Sequence, residues 1–403
     1  MIKLRFRNEN LRPIGLDIGH DSIKMIQLAI KGDNIKVAAA EKIRIDPRLN
    51  GDGSKRREFV VSAIKQKMTE GKFRGKGVVS CLPNDELKIT SLRLAEAEAE
   101  GIEKALRKEA LQRFGMDTDK DIINYVIAGT VRQGEEIKNE LILFGADSGT
   151  IKNHIEMLEE AKLSPVAIDA VPCALFRSFK RTLRRQEDIE RTVVFVDVGG
   201  MFTTVVFGQG RTISFIKQLP IGGERFNRQI AEKLGIGTSE ADMLRGSLQR
   251  ERRSGQQGEK DSDGTVSTTT SIDAQTRQVM ADAIGSVCEE LAREISRCFN
   301  YHTVTFRGKS AERAVLTGGG AYEDILLDVM RRQLGIEVDV GEPLKGMETS
   351  ISDSIILGRG GLHCEWAVAV GLGLKGWDGE SESAEAAENV GGFAGKRVND
   401  ERN

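Results

Sequence analysis

Two segments of the sequence place an aspartate and a glycine where an apolar run ends. One run ends at Asp17 with Gly19 two positions later, and the other ends at Asp197 with Gly199 two positions later. Glycine lets the backbone approach a phosphate group closely, and successive backbone amides can donate to its oxygens. An aspartate repels phosphate, but it can hold the water ligands of a Mg²⁺ ion that the phosphates also bind. Two such turns facing each other would bind the phosphates of a nucleotide from both sides.

Two glycine-rich segments could contact the rest of a nucleotide. In "VLTGGGA" an apolar strand meets three glycines before a helix, which permits close approach of a sugar or a base to the backbone. In "LPIGGERFN" the pair Gly222 and Gly223 separates a strand from a helix, and Glu224 could face solvent or a ribose. Each segment is by itself also compatible with an ordinary tight turn between a strand and a helix.

The elements that carry the two aspartates repeat. Around residues 14–45 and again around residues 193–221, a strand ends at the aspartate, and a second strand, a glycine turn and a third strand follow. This pattern predicts a duplicated antiparallel meander. Each copy is followed by helical periodicity, so we predict two mixed α/β domains.

The composition of the chain argues against several classes of protein. The chain has 403 residues, a formal net charge of −2 and a pI of about 6.2, which argues against a general nucleic-acid binder. Its 5 cysteines form no CxxC pair, which argues against a zinc site or a disulfide framework. Since the sequence shows neither a signal peptide nor an apolar stretch long enough to span a bilayer, we expect a cytoplasmic protein.

Three further stretches differ from their surroundings. Residues 78–147 combine alternating strand patterns with a charged helix and predict a small separate module, although they could also be an integral part of one large domain. Residues 246–275 contain almost no apolar side chains, and the last stretch, residues 378–403, is acidic and then glycine-rich. Both compositions predict disorder.

The motifs occur in a known order. "GLDIGHDSIK", "VVFVDVGG", "LPIGGERFN" and "VLTGGGA" resemble the first phosphate, second phosphate, ribose-side and adenosine motifs of the actin-like ATPase superfamily, over roughly residues 12–376. Within it the chain is most similar to the PilM family of type IV pilus assembly proteins, relatives of the cell-division protein FtsA. The module lies where both carry subdomain 1C, and "EWAVAVGLGLKGW" resembles their closing helix. The acidic tail differs from the amphipathic membrane-targeting helix of FtsA.

The resemblance implies a fold. It is an α/β fold of duplicated actin-like (ribonuclease H-like) domains with an inserted FtsA/PilM-type 1C subdomain. The implied boundaries are residues 1–77, 166–191 and 351–377 for subdomain 1A, 78–165 for 1C, 192–240 and 300–350 for 2A, and 241–299 for 2B, with the insertion inside 2B.

The resemblance also implies a site for ATP and Mg²⁺. Asp17 and Asp197 would hold Mg²⁺ through water. The first phosphate loop would comprise Gly19, His20, Asp21, Ser22 and Lys24, and the second Gly199, Gly200, Thr203 and Thr204. The ribose side would be lined by Gly223, Glu224 and Asn227. Asp242 and Arg245 would lie near the adenine, and the adenosine would contact Gly318, Gly319, Gly320 and Ala321.

Three departures from the family pattern concern hydrolysis. His20 replaces a small hydroxyl residue, and Met201 stands where the second loop commonly has a third glycine. Val171 occupies the position at which heat-shock chaperones of the superfamily carry a catalytic-site glutamate. Phosphoryl transfer to water needs a group that orients the water, and Asp169 is the nearby candidate. We therefore expect ATP binding with weak or absent hydrolysis.

The expected function is that of a cytoplasmic scaffold in type IV pilus assembly, or in the related type II secretion system. The resemblance implies a PilN-like inner-membrane partner, whose cytoplasmic N-terminal peptide would bind in a groove between subdomains. The protein would then be peripheral to the inner membrane through this partner. The alternatives are an active actin-like ATPase or sugar-kinase-type phosphotransferase, and a filament-forming FtsA-like cell-division protein.

Overall fold

A computed structural model describes residues 10–32, 34–95, 102–117, 119–133, 136–183, 190–257, 272–306, 310–349 and 363–377. Its strands are β1 (Asn10–Leu11), β2 (Ile14–Ile18), β3 (Ser22–Lys31), β4 (Asn34–Arg44), β5 (Gly77–Cys81), β6 (Lys88–Ala95), β7 (Ile122–Gln133), β8 (Glu136–Ala146), β9 (Ser164–Asp169), β10 (Thr192–Val198), β11 (Thr203–Gln209), β12 (Thr212–Leu219), β13 (Arg313–Thr317), β14 (Glu337–Val340) and β15 (Glu348–Thr349).

The α-helices alternate with these strands. They are α1 (Gly53–Thr69), α2 (Ile102–Phe114), α3 (Ser148–Glu160), α4 (Val171–Lys180), α5 (Gly223–Leu234), α6 (Thr238–Gln257), α7 (Ala274–Thr305), α8 (Asp324–Leu334) and α9 (Ala367–Gly373). Among the described residues, no helix combines the length and the apolar character that crossing a bilayer requires.

The first sheet has seven strands in the order β15-β4-β3-β2-β5-β9, and β1 also pairs with β3. Strands β2, β3 and β4 are antiparallel neighbours, whereas β5 lies parallel to β2 and β9 lies parallel to β5. The sheet therefore combines an antiparallel meander with two strands that follow crossover connections.

The second sheet repeats this plan in the order β12-β11-β10-β13-β14. Strands β10, β11 and β12 are antiparallel, and β13 and β14 are parallel additions. The core of β10 reads Val193 to Val196 without a polar residue, because helices cover both faces of such a strand. The predicted duplication of an antiparallel meander within a mixed α/β fold is thus confirmed.

The inserted module is a three-stranded sheet in the order β6-β8-β7, with α2 packed on one face. Its other face joins the main core through Val126, Ile142 and Phe144. The sequence placed β5 in this module, but β5 pairs with β2 and β9 and belongs to the first sheet. Strand β9, which the expected boundary at residue 165 divides, pairs with β5 and also belongs to the first sheet, so the module is shorter at both ends than the expected 78–165.

The helical region after α5 differs from the expected separate subdomain. Buried residues of α6 and α7, among them Ala241 and Ile284, share one core with the second sheet. Residues 246–257, which the composition predicted to be disordered, continue α6 as helix. Residues 258–271 and the predicted disordered tail lie outside the described residues.

Helix α9 closes the first domain beneath β2. A Cβ on Gly15 of β2 would lie 2.3 Å from the carbonyl oxygen of Ala369, so only a glycine permits this contact. On its other side α9 crosses α4, where a Cβ on Gly371 would lie 1.8 Å from the carbonyl oxygen of Ala174. The close packing fixes the strand that carries Asp17.

Candidate functional site

Strands β2 and β10 bring Asp17 and Asp197 into one electrostatic site. Lys24 is the cross-strand neighbour of Asp17, and its Nζ lies 2.9 Å from Asp17 Oδ2, with both side chains buried. Burial acts to lower the pKa of Lys24, but the carboxylates of Asp17 and Asp197 raise it overall. Burial, reinforced by the Asp17 charge and opposed by Lys24, raises the pKa of Asp197 to about 7. The first lobe, built on the first sheet, and the second lobe, built on the second sheet, therefore present two carboxylates and one ammonium group to the same space.

The turns that follow the two aspartates have the same backbone geometry. The amide of Gly19 donates to the carbonyl of Ser22 at 3.0 Å, and the amide of Gly199 donates to the carbonyl of Phe202 at 3.0 Å. Residues 19–22 are called the first loop below, and residues 199–202 the second loop. The duplication thus extends from strand order to individual hydrogen bonds.

The carbonyl groups of each loop accept hydrogen bonds from donors outside the loop. In the second loop, Gly199 and Gly200 accept hydrogen bonds from the amides of Gly223 and Glu224, at 2.9 and 2.8 Å, where α5 begins. In the first loop, Arg56 of α1 donates to the carbonyls of Gly19 at 2.7 Å and of His20 at 3.0 Å. Sequence reasoning missed Arg56, because it stands in a charged helix that no motif marks.

The two loops contact each other. A Cβ on Gly200 would lie 2.8 Å from His20 Cβ and 2.8 Å from Asp21 Oδ2, so a side chain at this position would clash. His20 Nδ1 pairs with Asp21 Oδ1 at 2.5 Å. Met201, which replaces the expected third glycine, is 40% exposed at the edge of the second loop. His20 and Asp21 therefore lie where the two loops meet, and their side chains interact with each other.

Thr203 and Thr204 are strand residues rather than loop residues. Both are fully buried in β11, and the Thr203 hydroxyl donates to the carbonyl of Ile221 at 2.6 Å. The Thr204 hydroxyl accepts a hydrogen bond from Asn84 at 3.1 Å. Thr204 is also the cross-strand neighbour of Asp197. These contacts already engage the two hydroxyls that the resemblance assigned to the phosphate loop.

The triple-glycine turn packs against Asp197. Gly318 has a φ of +83°, and a Cβ there would lie 2.5 Å from Asp197 Oδ1, so both conformation and space demand glycine. Gly319 has open space around its Cα, whereas Gly320 packs on Val198 and Ala321 is buried. The structure therefore joins this turn to the aspartate site and leaves Gly319 accessible.

The expected nucleoside side forms a polar cluster on α5 and α6. Asn227 Nδ2 donates to Asp242 Oδ1 at 3.2 Å, while Asn227 Oδ1 is buried with no hydrogen-bond partner among the described residues. Arg245 donates to the carbonyl of Gly223 at 2.9 Å and lies 3.7 Å from Glu323, a buried carboxylate that sequence reasoning missed. An unpaired buried acceptor in this position suits a donor from a ligand.

Asp169 does not have the environment expected of a water-orienting group. Its Oδ2 lies 2.9 Å from Arg177 and 3.2 Å from Lys375. Burial acts to raise the pKa of this carboxyl, but the two cations, together with the hydrogen bond from the Ala170 amide, outweigh burial and lower it. Asp169 therefore ties α4 and the segment after α9 to the end of β9.

The residues present fit a magnesium nucleotide. Two carboxylates at facing strand ends match a Mg²⁺ ion held through water, and within the described residues no group of three or more metal-ligating side chains offers direct coordination. The unpaired Asn227 Oδ1 could accept a hydrogen bond from a ribose or a base. Asp17 and Asp197 would hold the ion, which when bound would supply positive charge to offset the carboxylates and the phosphates.

The comparisons with known proteins agree with this architecture. A family model described as type IV pilus assembly protein PilM matches residues 15–251, more than half of the 403 residues. A solved PilM-PilN type IV pilus biogenesis complex is similar with a TM-score of 0.72 and 21% identity, covering 91% of this chain and 99% of that chain. Ethanolamine utilization protein EutJ from Carboxydothermus hydrogenoformans is similar with a TM-score of 0.50 and 13% identity, covering 90% and 89%. At these identities the structures show a shared fold.

Proposed function

This chain belongs to the PilM family of type IV pilus assembly proteins, and from that membership we propose that it is an ATP-binding scaffold of pilus assembly. The observation that carries the proposal is the pair of equivalent turns whose aspartates share one site with Lys24. A cation bound there would relieve the repulsion between Asp17 and Asp197. ATP supplies phosphates for the loop amides and a nucleoside for the cluster around Asn227.

We propose further that hydrolysis is slow or absent. Val171 begins α4 and has no group that could orient a water. Asp169, the nearby alternative, is neutralised by Arg177 and Lys375. A steady-state turnover above about one per second, the lower range for enzymes, would contradict this part of the proposal.

The proposed partner is a PilN-like inner-membrane protein. The match to the solved PilM-PilN complex covers 91% of this chain. The presence of PilN in that complex supports a partner of the same class for this chain. Recognition of a short N-terminal cytoplasmic peptide would bring the scaffold to the inner membrane. Nucleotide would tune this contact by changing how the two lobes face each other.

One calorimetric experiment tests nucleotide binding and tuning together. The wild-type protein should bind ATP with Mg²⁺, and its affinity for the partner peptide should change about fivefold or more between the nucleotide-free and ATP-bound forms. Asp197→Ala should weaken ATP binding and abolish the response to nucleotide while keeping the nucleotide-free peptide affinity. Asp339→Ala, which removes a carboxylate paired with Arg313 elsewhere in the second lobe, is the matched control. Absence of heat from ATP with the wild type would contradict the proposal.

A further inference from the structure

Arg56 contacts the backbone of the first loop through both arms of its guanidinium. Nη2 donates to the carbonyl of Gly19 at 2.7 Å, and Nη1 donates to the carbonyl of His20 at 3.0 Å and to Asn50 Oδ1 at 2.7 Å. Hydrogen bonds from a charged donor are about twice as strong as neutral ones, and the planar guanidinium fixes both acceptors in one geometry. The loop carbonyls are therefore held toward α1.

Holding these carbonyls orients the amides. Because a peptide unit is planar and trans, its carbonyl and its N–H point in opposite directions. The carbonyls of Gly19 and His20 face α1, so the amides of His20 and Asp21 face away from it. In the part of the chain that the structure describes, neither of these amides has a hydrogen-bond partner. Two adjacent N–H groups are thus available to an anionic ligand.

The carbonyls of the second loop are also held by hydrogen bonds, but the donors are backbone amides rather than an arginine. Its carbonyls at Gly199 and Gly200 occupy the positions equivalent to Gly19 and His20, and they accept from the first amides of α5. The amides of Gly200 and Met201 likewise have no partner among the described residues. One copy of the duplicated turn therefore uses a helix N-terminus to hold its carbonyls, and the other copy uses one arginine side chain.

We propose that Arg56 is a positioning residue for nucleotide binding, which presents the amides of the first loop to the phosphate groups. This proposal rests on the proposed binding of ATP. It predicts that removing Arg56 lets the loop carbonyls rotate toward the phosphates and repel them. Binding of the nucleoside end of the ligand, which contacts the second lobe, would not be affected by this rotation.

The test compares ligands with and without phosphate chains. For Arg56→Ala, calorimetric titration should show about tenfold weaker affinity for ATP and ADP, the lower end of the loss on removing an outer-shell partner at metal sites. The affinity for adenosine should stay within about twofold, because adenosine has no phosphates. Arg57→Ala is the matched control: Arg57 is the next residue of α1, it pairs with Glu160 and Asn153, and it should leave all affinities unchanged.

Two further measurements distinguish the loss of the Arg56 hydrogen bonds from misfolding of the variant. Arg56→Lys retains the charge without the planar fork and should recover part of the loss, and it replaces Arg56→Ala if that variant does not fold. Millimolar methylguanidinium should partly restore ATP affinity in Arg56→Ala and have no effect on the wild type. Equal losses for ATP and adenosine, or unchanged ATP affinity in Arg56→Ala and Arg56→Lys, would overturn the proposal. Failure of the wild type to bind ATP would instead overturn the proposed function and this inference with it.

Discussion

At the scale of single residues, the duplicated site is asymmetric. Asp17 has Lys24 as its cross-strand neighbour, whereas Asp197 has Thr204 in the equivalent position. One carboxylate is therefore compensated by a buried ion pair, and the other has no ion pair among the described residues. The equivalent substitution at the two aspartates should consequently have opposite effects on stability.

Asp197→Asn should make the nucleotide-free protein more stable near neutral pH. Burial raises the pKa of Asp197 to about 7 from an ordinary 3.8. Between these values the unfolded chain loses the proton while the folded chain keeps it, so rising pH favours unfolding. The variant's free energy of unfolding minus that of the wild type should be about 2–4 kcal/mol larger above pH 7 than at pH 4. Urea unfolding from pH 4 to pH 8 measures this, and a difference independent of pH would refute the assignment.

Asp17→Asn should have the opposite effect. It leaves the ammonium group of Lys24 buried without the partner that now lies 2.9 Å away. Breaking a buried ion pair by removing one member costs about 3–5 kcal/mol. The same urea experiment at pH 7 should therefore show a destabilised variant, and a stability equal to that of the wild type would contradict the pairing.

At the scale of elements, the position of β2 depends on close helix packing. Helix α9 is buried along its length and lies between β2 and α4. Asp169 adds an ion pair with Arg177 of α4 and with Lys375, which follows α9. The carboxylate that sequence reasoning considered for catalysis therefore supports the strand that carries Asp17.

Glycine-to-alanine substitutions at two helical positions distinguish the effect of close packing on stability from the effect of helix propensity. Gly371→Ala would place a Cβ 1.8 Å from the carbonyl oxygen of Ala174, so α4 and α9 must separate. We expect a loss of about 3 kcal/mol or more in the free energy of unfolding. Gly285→Ala in α7 has no atom within 4 Å of the new Cβ and should be neutral or stabilising by up to about 1 kcal/mol. Thermal unfolding of both variants measures the contrast, and equal effects would contradict the close crossing.

At the scale of the whole molecule, polar contacts join the two lobes around the site. Arg44 at the end of β4 lies 2.9 Å from Asp242 of α6. Asn84, which follows β5, hydrogen-bonds to Thr204 and Gln218 of the second lobe. Under the proposed function, these contacts would transmit a change in loop spacing on nucleotide binding from one lobe to the other.

Arg44→Ala should speed up nucleotide release. Arg44 contacts Asp242, which also accepts a hydrogen bond from Asn227 on the expected nucleoside side. The pair is exposed, so its loss should raise the dissociation rate only about two- to fivefold. Stopped-flow displacement of a fluorescent ATP analogue measures this rate. Arg48→Ala, which breaks an exposed pair with Asp46 inside the first lobe, should leave the rate unchanged.

Features that depend on local spacing could be predicted from the sequence. A strand, an Asp-x-Gly turn and two further strands follow from residues close together in the chain, and their repetition predicted both the duplicated sheets and the meeting of Asp17 with Asp197. The partners of the polar groups near the site could not be predicted in this way. Arg56 reaches Gly19, Arg177 neutralises Asp169, and β5 joins the first sheet through pairings between residues far apart in the chain. Such contacts depend on how helices and strands pack, and no local pattern encodes them.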